Sequence, residues 1–374
     1  MTTYRQCVRC VMDTSDPCIA FDEAGRCNHC IDFFTRLRRD LHPDGTGARL
    51  LAEHAERIRA DGRGRSYDCL VGISGGIDSS YLVLKLRGLG LRPLAVHIDG
   101  GWNSEIAVGN IQRLVATLGI DLCTHVVDWE EMRDLQLAFL RSGVPNQDIP
   151  QDHAFFAQLF FLARRHRIRW FLSGHNLATE SILPRAWGFN AMDGTHLRAI
   201  HARFGTRQLR TFPVIGFWDF YLGIPRILGL RTLHPLNWMP YDKAQARREL
   251  ADAVGWRDYG EKHHESRFTR FFQGCYLPAR YGWDKRRAHY SSLIVSGQMT
   301  REEALARLTE PPYDPSAMDS DRSFIAKKLG LTEEAFAELC AAPPRRHADF
   351  PNQQALLERV LRWRGRLRRL VRWG

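Results

Sequence analysis

Two patterns in this 374-residue chain carry chemistry by residue type and spacing. The first is S-G-G-I-D-S-S at 74–80, entered from the apolar run Leu70-Val71-Gly72-Ile73 and followed by a helix-like stretch. A strand that turns through two glycines into a helix aims backbone N–H groups from a positive helix end, which is an anion site. Gly75 and Gly76 allow close backbone approach, and Ser74, Ser79 and Ser80 add hydroxyl donors, so the turn suits a pyrophosphate. It lacks the lysine of the G-x-x-x-x-G-K-[ST] loop. The second pattern is Cys7-x-x-Cys10 followed, after a gap of sixteen residues, by Cys27-x-x-Cys30. Four thiolates at this spacing hold a tetrahedral metal and leave no open position, so the site is structural. Zinc is the expected ion, and an iron–sulfur cluster fits the same spacing. The segment has few apolar residues, and metal binding would supply its folding energy.

These residues need elements to place them. "YDCLVGIS", "RPLAVHID", "DLCTHVVD" and "IRWFLSG" read as buried strands, alternating with helices over "DSSYLVLKLRGLG", "SEIAVGNIQRLVATLG" (Ser104 as N-cap) and a helical stretch ending near Arg167. Strands alternating with helices of this length predict an α/β fold with a doubly wound parallel sheet, whose ligands sit at the carboxyl ends of the strands. The chain divides into a loop-like four-cysteine zinc module (1–35), an Arg-rich helical connector (36–66), an α/β domain (67–255) and a helical, basic region (256–374). Thr300 and Glu303 form a capping box. Cys18, Cys69, Cys123, Cys275 and Cys340 read as small buried hydrophobes.

The composition, 44% hydrophobic and 25% charged, is that of an ordinary globular protein. No apolar run approaches a membrane span and the first residues do not resemble a signal peptide, so a cytoplasmic protein is expected, where nine cysteines argue against a disulfide framework. The net charge of +11 points to anionic partners without choosing among nucleotides, nucleic acid and acidic membranes. The aromatic run "FWDFYLGIPRILGL" (217–230) reads as core, with a docking face as the alternative. The final "ALLERVLRWRGRLRRLVRWG" sets Leu356, Val360, Trp363, Leu367 and Leu370 at helical spacing among arginines. That stripe suits packing on the body, an acidic partner or an anionic membrane.

"SGGIDSS" resembles the PP-loop of the ATP pyrophosphatases, S-G-G-x-D-S. The resemblance implies an adenine nucleotide alpha-hydrolase-like fold and ATP cleaved between its α and β phosphates, with Asp78 as a Mg²⁺ ligand. On that fold "HIDGGWNSE" sets His97, Ile98 and Asp99 against adenine and ribose. "SGHNLATES" sets Gly174, His175 and Asn176 near the phosphates, with Glu180 as a second magnesium ligand.

Together with "CVRCVMDTSDPCIAFDEAGRCNHC", "GWRDYGEKHHESRFTRFFQGCYLP" and "DKRRAHYSSLIVSGQMTREEAL", these stretches, running from Cys7 to about Asp314, resemble the N-acetyl sugar amidotransferase family of lipopolysaccharide and nonulosonic (pseudaminic or legionaminic) acid biosynthesis. The resemblance implies that an acetamido oxygen of a nucleotide sugar attacks the α-phosphate of ATP, pyrophosphate leaves, and ammonia then displaces AMP to give an acetamidino group. It also implies a separate ammonia-supplying glutaminase subunit with a barrel-like companion, in keeping with the lack of a glutaminase signature in the chain, and no stable nucleic-acid partner. His263, His264 or Glu265 would handle the ammonium proton. Arg267, Arg270, Lys285, Arg286 and Arg287 would cradle the anionic substrate, although both basic stretches also read as solvated faces. The sequence departs from the family at His175, where a second glycine is expected. A PP-loop tRNA thiolase is the alternative, weakened because the only C-x-x-C pairs are N-terminal; a non-catalytic assembly protein is a third reading.

Overall fold

The computed structural model describes residues 3–260, 265–360 and 362. Its centre is a parallel sheet of β1 (Cys69–Gly72), β2 (Pro93–Asp99), β3 (Leu122–Val126), β4 (Trp170–Leu172) and β5 (Arg231–Leu233), in the order β3-β2-β1-β4-β5. The helices are α1 (Asn28–Thr35), α2 (Gly45–Asp61), α3 (Ile77–Gly88), α4 (Glu105–Leu118), α5 (Trp129–Ser142), α6 (Ile149–Arg165), α7 (Leu177–Glu180) and α8 (Gly194–Phe204). After the sheet closes come α9 (Lys243–Val254), α10 (Arg267–Phe271), α11 (Leu277–Tyr281), α12 (Lys285–Val295), α13 (Arg301–Leu308), α14 (Pro315–Leu329) and α15 (Glu333–Ala341).

Both sheet faces are covered, which is why β1, β2 and β4 read as continuous apolar runs. Successive residues still alternate: Cys69, Val71, Ala95, Trp170 and Leu172 pack with α2, α3, α4 and α9, whereas Leu70, Leu94, Val96 and Phe171 pack with α6. Leu82, Leu86, Leu114 and Leu250 are fully enclosed in the first layer, and truncating any one to alanine would cost about 2–5 kcal/mol. The strand β5 has no apolar run to announce it. It is a short edge strand held by main-chain pairing, beginning with Arg231 N–H to the Arg169 carbonyl at 2.8 Å.

Local signals hold where side chains decide them. Ser104 caps α4 by accepting from the Ala107 N–H at 3.2 Å, and Gly119 ends that helix in the left-handed conformation at φ 60°. Thr300 and Glu303 form both bonds of the capping box. The first 35 residues are less loop-like than expected, because α1 starts directly at Cys27 and places Cys30 in its first turn. Two further expectations need correction. Cys18 is exposed. Within 217–230, Phe217 and Leu230 are buried and Phe220, Ile224 and Leu228 pack on the α6 layer, but Trp218 is 60% and Ile227 88% exposed, flanking and ending the wide-turned helix Asp219–Ile227.

A second core joins the cysteine module to α10, α11, α12, α14 and α15, with Phe33, Trp102, Phe268, Phe271 and Leu277 at its centre. Its polar pivot is Asp321, fully buried on α14, which accepts from Arg267 Nε and Arg270 Nε at 2.7 Å each. Asp321→Ala would leave two cations facing an apolar wall, so a loss of about 3–5 kcal/mol is expected in denaturant midpoints.

Buried histidines fix the opposite flank. His153 on α6 accepts from the Ile215 N–H at Nε2 (3.0 Å), so its Nδ1–H donates to the Ala191 carbonyl at 2.7 Å. His347 accepts from the Asn146 N–H, so its Nδ1–H donates to His196 Nε2 at 3.0 Å. Burial pushes His153 and His196 down to about 4 and His347 to about 3. The unfolded chain takes up these protons near pH 6.5 and the folded one does not, so stability is full above that pH and falls as pH drops toward 4. The expected slope is roughly 1.4 kcal/mol per pH unit per histidine, checked by thermal melts between pH 8 and 4 and removed in part by His196→Gln. No helix among the described residues is long and apolar enough to cross a membrane. The stripe residues Trp363, Leu367 and Leu370, like His263 and His264, lie outside the described residues.

Candidate active site

Strand order locates the site. From β1 the chain winds outward to β2 and β3, then returns to the other side of β1 for β4, so the connections leave the carboxyl ends of β1 and β4 in opposite directions. Ligands of open α/β sheets sit in that crevice. Here it receives the 74–80 turn from β1 and the Ser173-Gly174-His175-Asn176 turn from β4.

The first turn is tight. Gly75 has φ +80°, and a Cβ there would lie 2.4 Å from the Ala107 carbonyl oxygen of α4, so only glycine fits. Its own carbonyl accepts from Trp256 Nε1 at 3.1 Å. Gly76 caps α3, whose first turn carries Asp78. The amides of the turn meet hydroxyls: Gly76 N–H donates to Ser74 Oγ at 3.2 Å, Ile77 N–H to Tyr259 Oη at 3.3 Å and Ser74 N–H to Ser79 Oγ at 3.4 Å. Gly174 presses on this turn from β4, since a Cβ there would lie 3.0 Å from the Ser79 nitrogen.

Asp78 accepts from the Tyr241 hydroxyl and lies 3.5 Å from Asn176 Nδ2. Asn176 is fully buried and caps α7 through Thr179 N–H at 2.9 Å. Burial and the Asp78 charge hold the Tyr241 phenol well above its ordinary range; burial and Glu265 do the same for Tyr259. Both phenols therefore stay neutral donors.

The turn opens into a cleft of about 560 Å³ lined by Ser74, Gly76, Asp78, Ser79, Ile98, Gly174, His175, Glu180, Glu265 and Lys285. A side cavity of about 290 Å³ adjoins it and shares His175, Glu180, Leu183, Thr269, Gln273 and Lys285. His175 forms an ion pair with Glu180 and packs edge-on to His234, 5.4 Å between ring centres. The imidazole, where the resemblance led us to expect a second glycine, thus contacts a cleft carboxylate. Glu265 approaches the glycine turn, its Oε1 3.4 Å from Ser74 Oγ.

Other expected site residues serve the scaffold. Ser80 is fully buried on α3 and its hydroxyl has no partner among the described residues, so it does not reach the turn. His97 donates from Nδ1 to the Ile73 carbonyl at 3.0 Å and accepts from Asn103 at 3.2 Å. Asp99 accepts from the Gly101 N–H at 2.8 Å and from Asn103 at 3.1 Å, fixing the loop after β2. Arg267 and Arg270 are committed to Asp321, although Arg270 also borders the side cavity. Arg286 spans Asp284 and the carbonyls of Arg307, Glu310 and Pro311 while bordering that cavity. Arg287 pairs with Asp13 at 3.0 Å and the Val11 carbonyl, tying α12 to the cysteine module.

Sequence reading missed Tyr241, Tyr259 and the polar wall of Asp148, Gln151 and Asp152 at the start of α6. "NQDIPQDH" shows a helix start at Asp148-Ile149-Pro150 with acids four residues apart; only the fold shows that they line the cleft. Asp148 is buried and accepts from Thr269 Oγ1 at 3.1 Å and Gln151 Nε2 at 3.3 Å. Burial pushes its carboxyl up to about 6, and desolvation by the cleft walls plus the Asp148 charge pushes Asp152 up to about 7. Lys285 lies within their electrostatic reach, and burial draws its ammonium down from the usual range.

The thiols of Cys7, Cys10, Cys27 and Cys30 are buried with their sulfurs all within 4.8 Å of one another, the one metal-like cluster among the described residues. Two of the spacings are 3.9 Å (Cys7 to Cys30) and 3.6 Å (Cys10 to Cys27), close to the edge of a tetrahedron with metal–sulfur bonds of about 2.3 Å. Competition among the four for protons drives Cys7 and Cys10 down and Cys27 and Cys30 up, which a divalent cation resolves by taking all four as thiolates.

Among curated proteins, the tRNA(Ile)-lysidine synthase of Chlamydia felis (strain Fe/C-56) is 26% identical over 184 residues, covering 45% of this chain and 49% of that protein. The chain thus spans about half the length of this curated relative. Among solved structures, the NMN synthetase of Francisella tularensis aligns at a TM-score of 0.39 and 14% identity, over 76% of this chain and 96% of that one. A predicted subunit of tRNA methyltransferase from Methanocaldococcus jannaschii aligns at 0.27 and 17%, over 49% and 73%. Residues 265–364, which supply Glu265, Thr269, Gln273 and Lys285 to the cleft, match the family model described as the C-terminal domain of WbpG-like LPS biosynthesis proteins.

Proposed function

We propose that this chain is an ATP-dependent, AMP-forming amidotransferase that converts an acetamido group of a nucleotide sugar into an acetamidino group in lipopolysaccharide or related surface-sugar biosynthesis. The supporting observation is the meeting, in one cleft, of the S-G-G-I-D-S turn and the WbpG-like domain. The turn's amides and Ser74, Ser79 and Tyr259 hydroxyls would receive the triphosphate, while Asp78 and Glu180 would hold Mg²⁺ beside it. The acetamido oxygen attacks the α-phosphorus and pyrophosphate departs, giving an O-adenylyl imidate. Ammonia adds to the imidate carbon, the C–O bond breaks, and AMP leaves with the electron pair. Activation is needed because an amide oxygen is a poor leaving group. The protein supplies positioning and charge stabilisation.

No cysteine lines either cavity among the described residues, which disfavours persulfide chemistry; in this reading the ammonia would come from a separate glutaminase. Incubation with ATP, ammonium chloride and a panel of UDP-linked acetamido sugars tests the reading. The expected products are AMP, pyrophosphate and a sugar one mass unit lighter; ADP as the nucleotide product overturns it.

Likeness to a tRNA(Ile)-lysidine synthase and the net charge of +11 favour a second reading, tRNA modification. It requires tRNA binding that weakens steeply with salt, and tRNA-independent turnover of a sugar eliminates it.

A further inference from the structure

The wall opposite the pyrophosphate turn has an acid–base group that the phosphate chemistry leaves unused. Asp148 stands at the residue before α6 and Asp152 follows four residues later, so the two carboxylates share one helix face. Lys285 approaches from α12 and feels both charges, yet no ion pair within 4.0 Å joins it to either among the described residues. Asp148 is tied to Thr269 and Gln151, and Gln273 steadies it as well. Asp152 has no side-chain hydrogen bond among the described residues and is open to the water of the cleft it lines. The arrangement is a fixed carboxylate, an unengaged carboxylate and a cation standing apart around a space that adjoins the turn.

We propose that Asp148 and Asp152 hold ammonium in this part of the cleft, and that Asp152 removes the proton that ammonium must lose before its nitrogen attacks the activated amide carbon. The inference rests on the amidotransferase reading for its chemistry and on the cavity for its geometry. In the step, an N–H bond of ammonium breaks and its proton passes to an Asp152 oxygen. The freed lone pair forms the C–N bond as AMP leaves with the C–O electrons; the product keeps the three remaining N–H protons as an amidinium, and Asp152 returns its proton to water. Asp148 supplies the fixed negative charge that attracts the cation, and Lys285 keeps Asp152 ionised near neutrality and repels the ion toward the imidate. Other charged groups facing this space are Asp78, Glu180 and its partner His175, and Glu265. The usual carboxylate range is too acidic for a base working near pH 7, and the cleft walls together with the adjacent Asp148 charge move Asp152 upward from it. Glu265 stands against Ser74 at the phosphate turn, a position suited to the nucleotide.

Thallium(I), an anomalous scatterer of ammonium's size and charge, tests the site without any sugar. Crystals soaked in a thallium salt at pH 8 are expected to show a peak between Asp148 and Asp152 that excess ammonium chloride removes and that Asp152→Asn lacks. An empty wall, or a peak indifferent to ammonium, overturns the proposal. Kinetics separate it from the parent reading, because acceptor-dependent ATP–pyrophosphate exchange needs no ammonia. Asp152→Asn is expected to keep that exchange within about threefold while raising the ammonium KM at least tenfold. Lys285→Met is expected to move the acid limb of kcat/KM for ammonium to higher pH, since Lys285 lowers the Asp152 pKa. Intact exchange with an unchanged ammonium KM in Asp152→Asn overturns this inference alone. Loss of exchange in the unmodified protein overturns the amidotransferase reading and leaves the thallium result to decide the cation site.

Discussion

Asp78→Asn is expected to lower AMP formation by about a thousandfold while leaving the melting temperature nearly unchanged. Asp78 is the carboxylate built into the glycine turn proposed to hold pyrophosphate, in the first turn of α3. Asparagine keeps an oxygen for the Tyr241 hydroxyl and the same volume beside Asn176, so the packing that positions the turn persists. What disappears is the negative charge that would hold magnesium against the phosphates. Losing one element of preorganised charge stabilisation costs about 10²–10³ in rate, and a metal-ligand loss belongs at the upper end. The check is AMP release at saturating ATP with and without excess magnesium. A variant rate within threefold of the unmodified enzyme would remove Asp78 from the chemistry and weaken the proposed use of the turn.

The second large effect is on the fold. One equivalent of zinc per chain is expected by elemental analysis, without the visible absorption of an iron–sulfur cluster. Cys27→Ser, or prolonged chelation, is expected to lower the melting transition by about 10 °C or more and to open residues 3–35 to protease. Structural zinc supplies roughly 10 kcal/mol in small zinc-dependent modules, and little else here does so: Cys7, Cys10, Cys27 and Cys30 are themselves the buried centre of the segment. The damage should spread to the cleft. Val11 N–H donates to Ser291 Oγ at 3.2 Å, Arg287 pairs with Asp13, and Arg301 reaches the Cys7 and Cys10 carbonyls. These bonds brace α12 and α13, and α12 carries Lys285 into the cleft. Loss of zinc should therefore raise substrate KM before the sheet unfolds, and a Cys27→Ser enzyme with normal KM and normal stability would refute the coupling.

By itself the sequence determined the features that depend on neighbours along the chain. The strands β1 to β4, the Ser104 and Thr300 caps, the glycine turn after β1 and the four-thiolate spacing all follow from local periodicity, backbone freedom and ligand geometry, which the residues carry wherever the chain goes. Tertiary structure decided what depends on burial. Arg267, Arg270 and Arg287 look like a substrate cradle in sequence, but buried Asp321 and Asp13 claim them, because a desolvated carboxylate needs its cations more than a solvated phosphate site does. The strand β5 escaped notice because edge pairing needs backbone rather than an apolar run. Asp148 and Asp152 looked like ordinary helix-start acids until the fold brought α12 and α10 over them, and only their shared place in the cleft suits them to the proposed handling of ammonium.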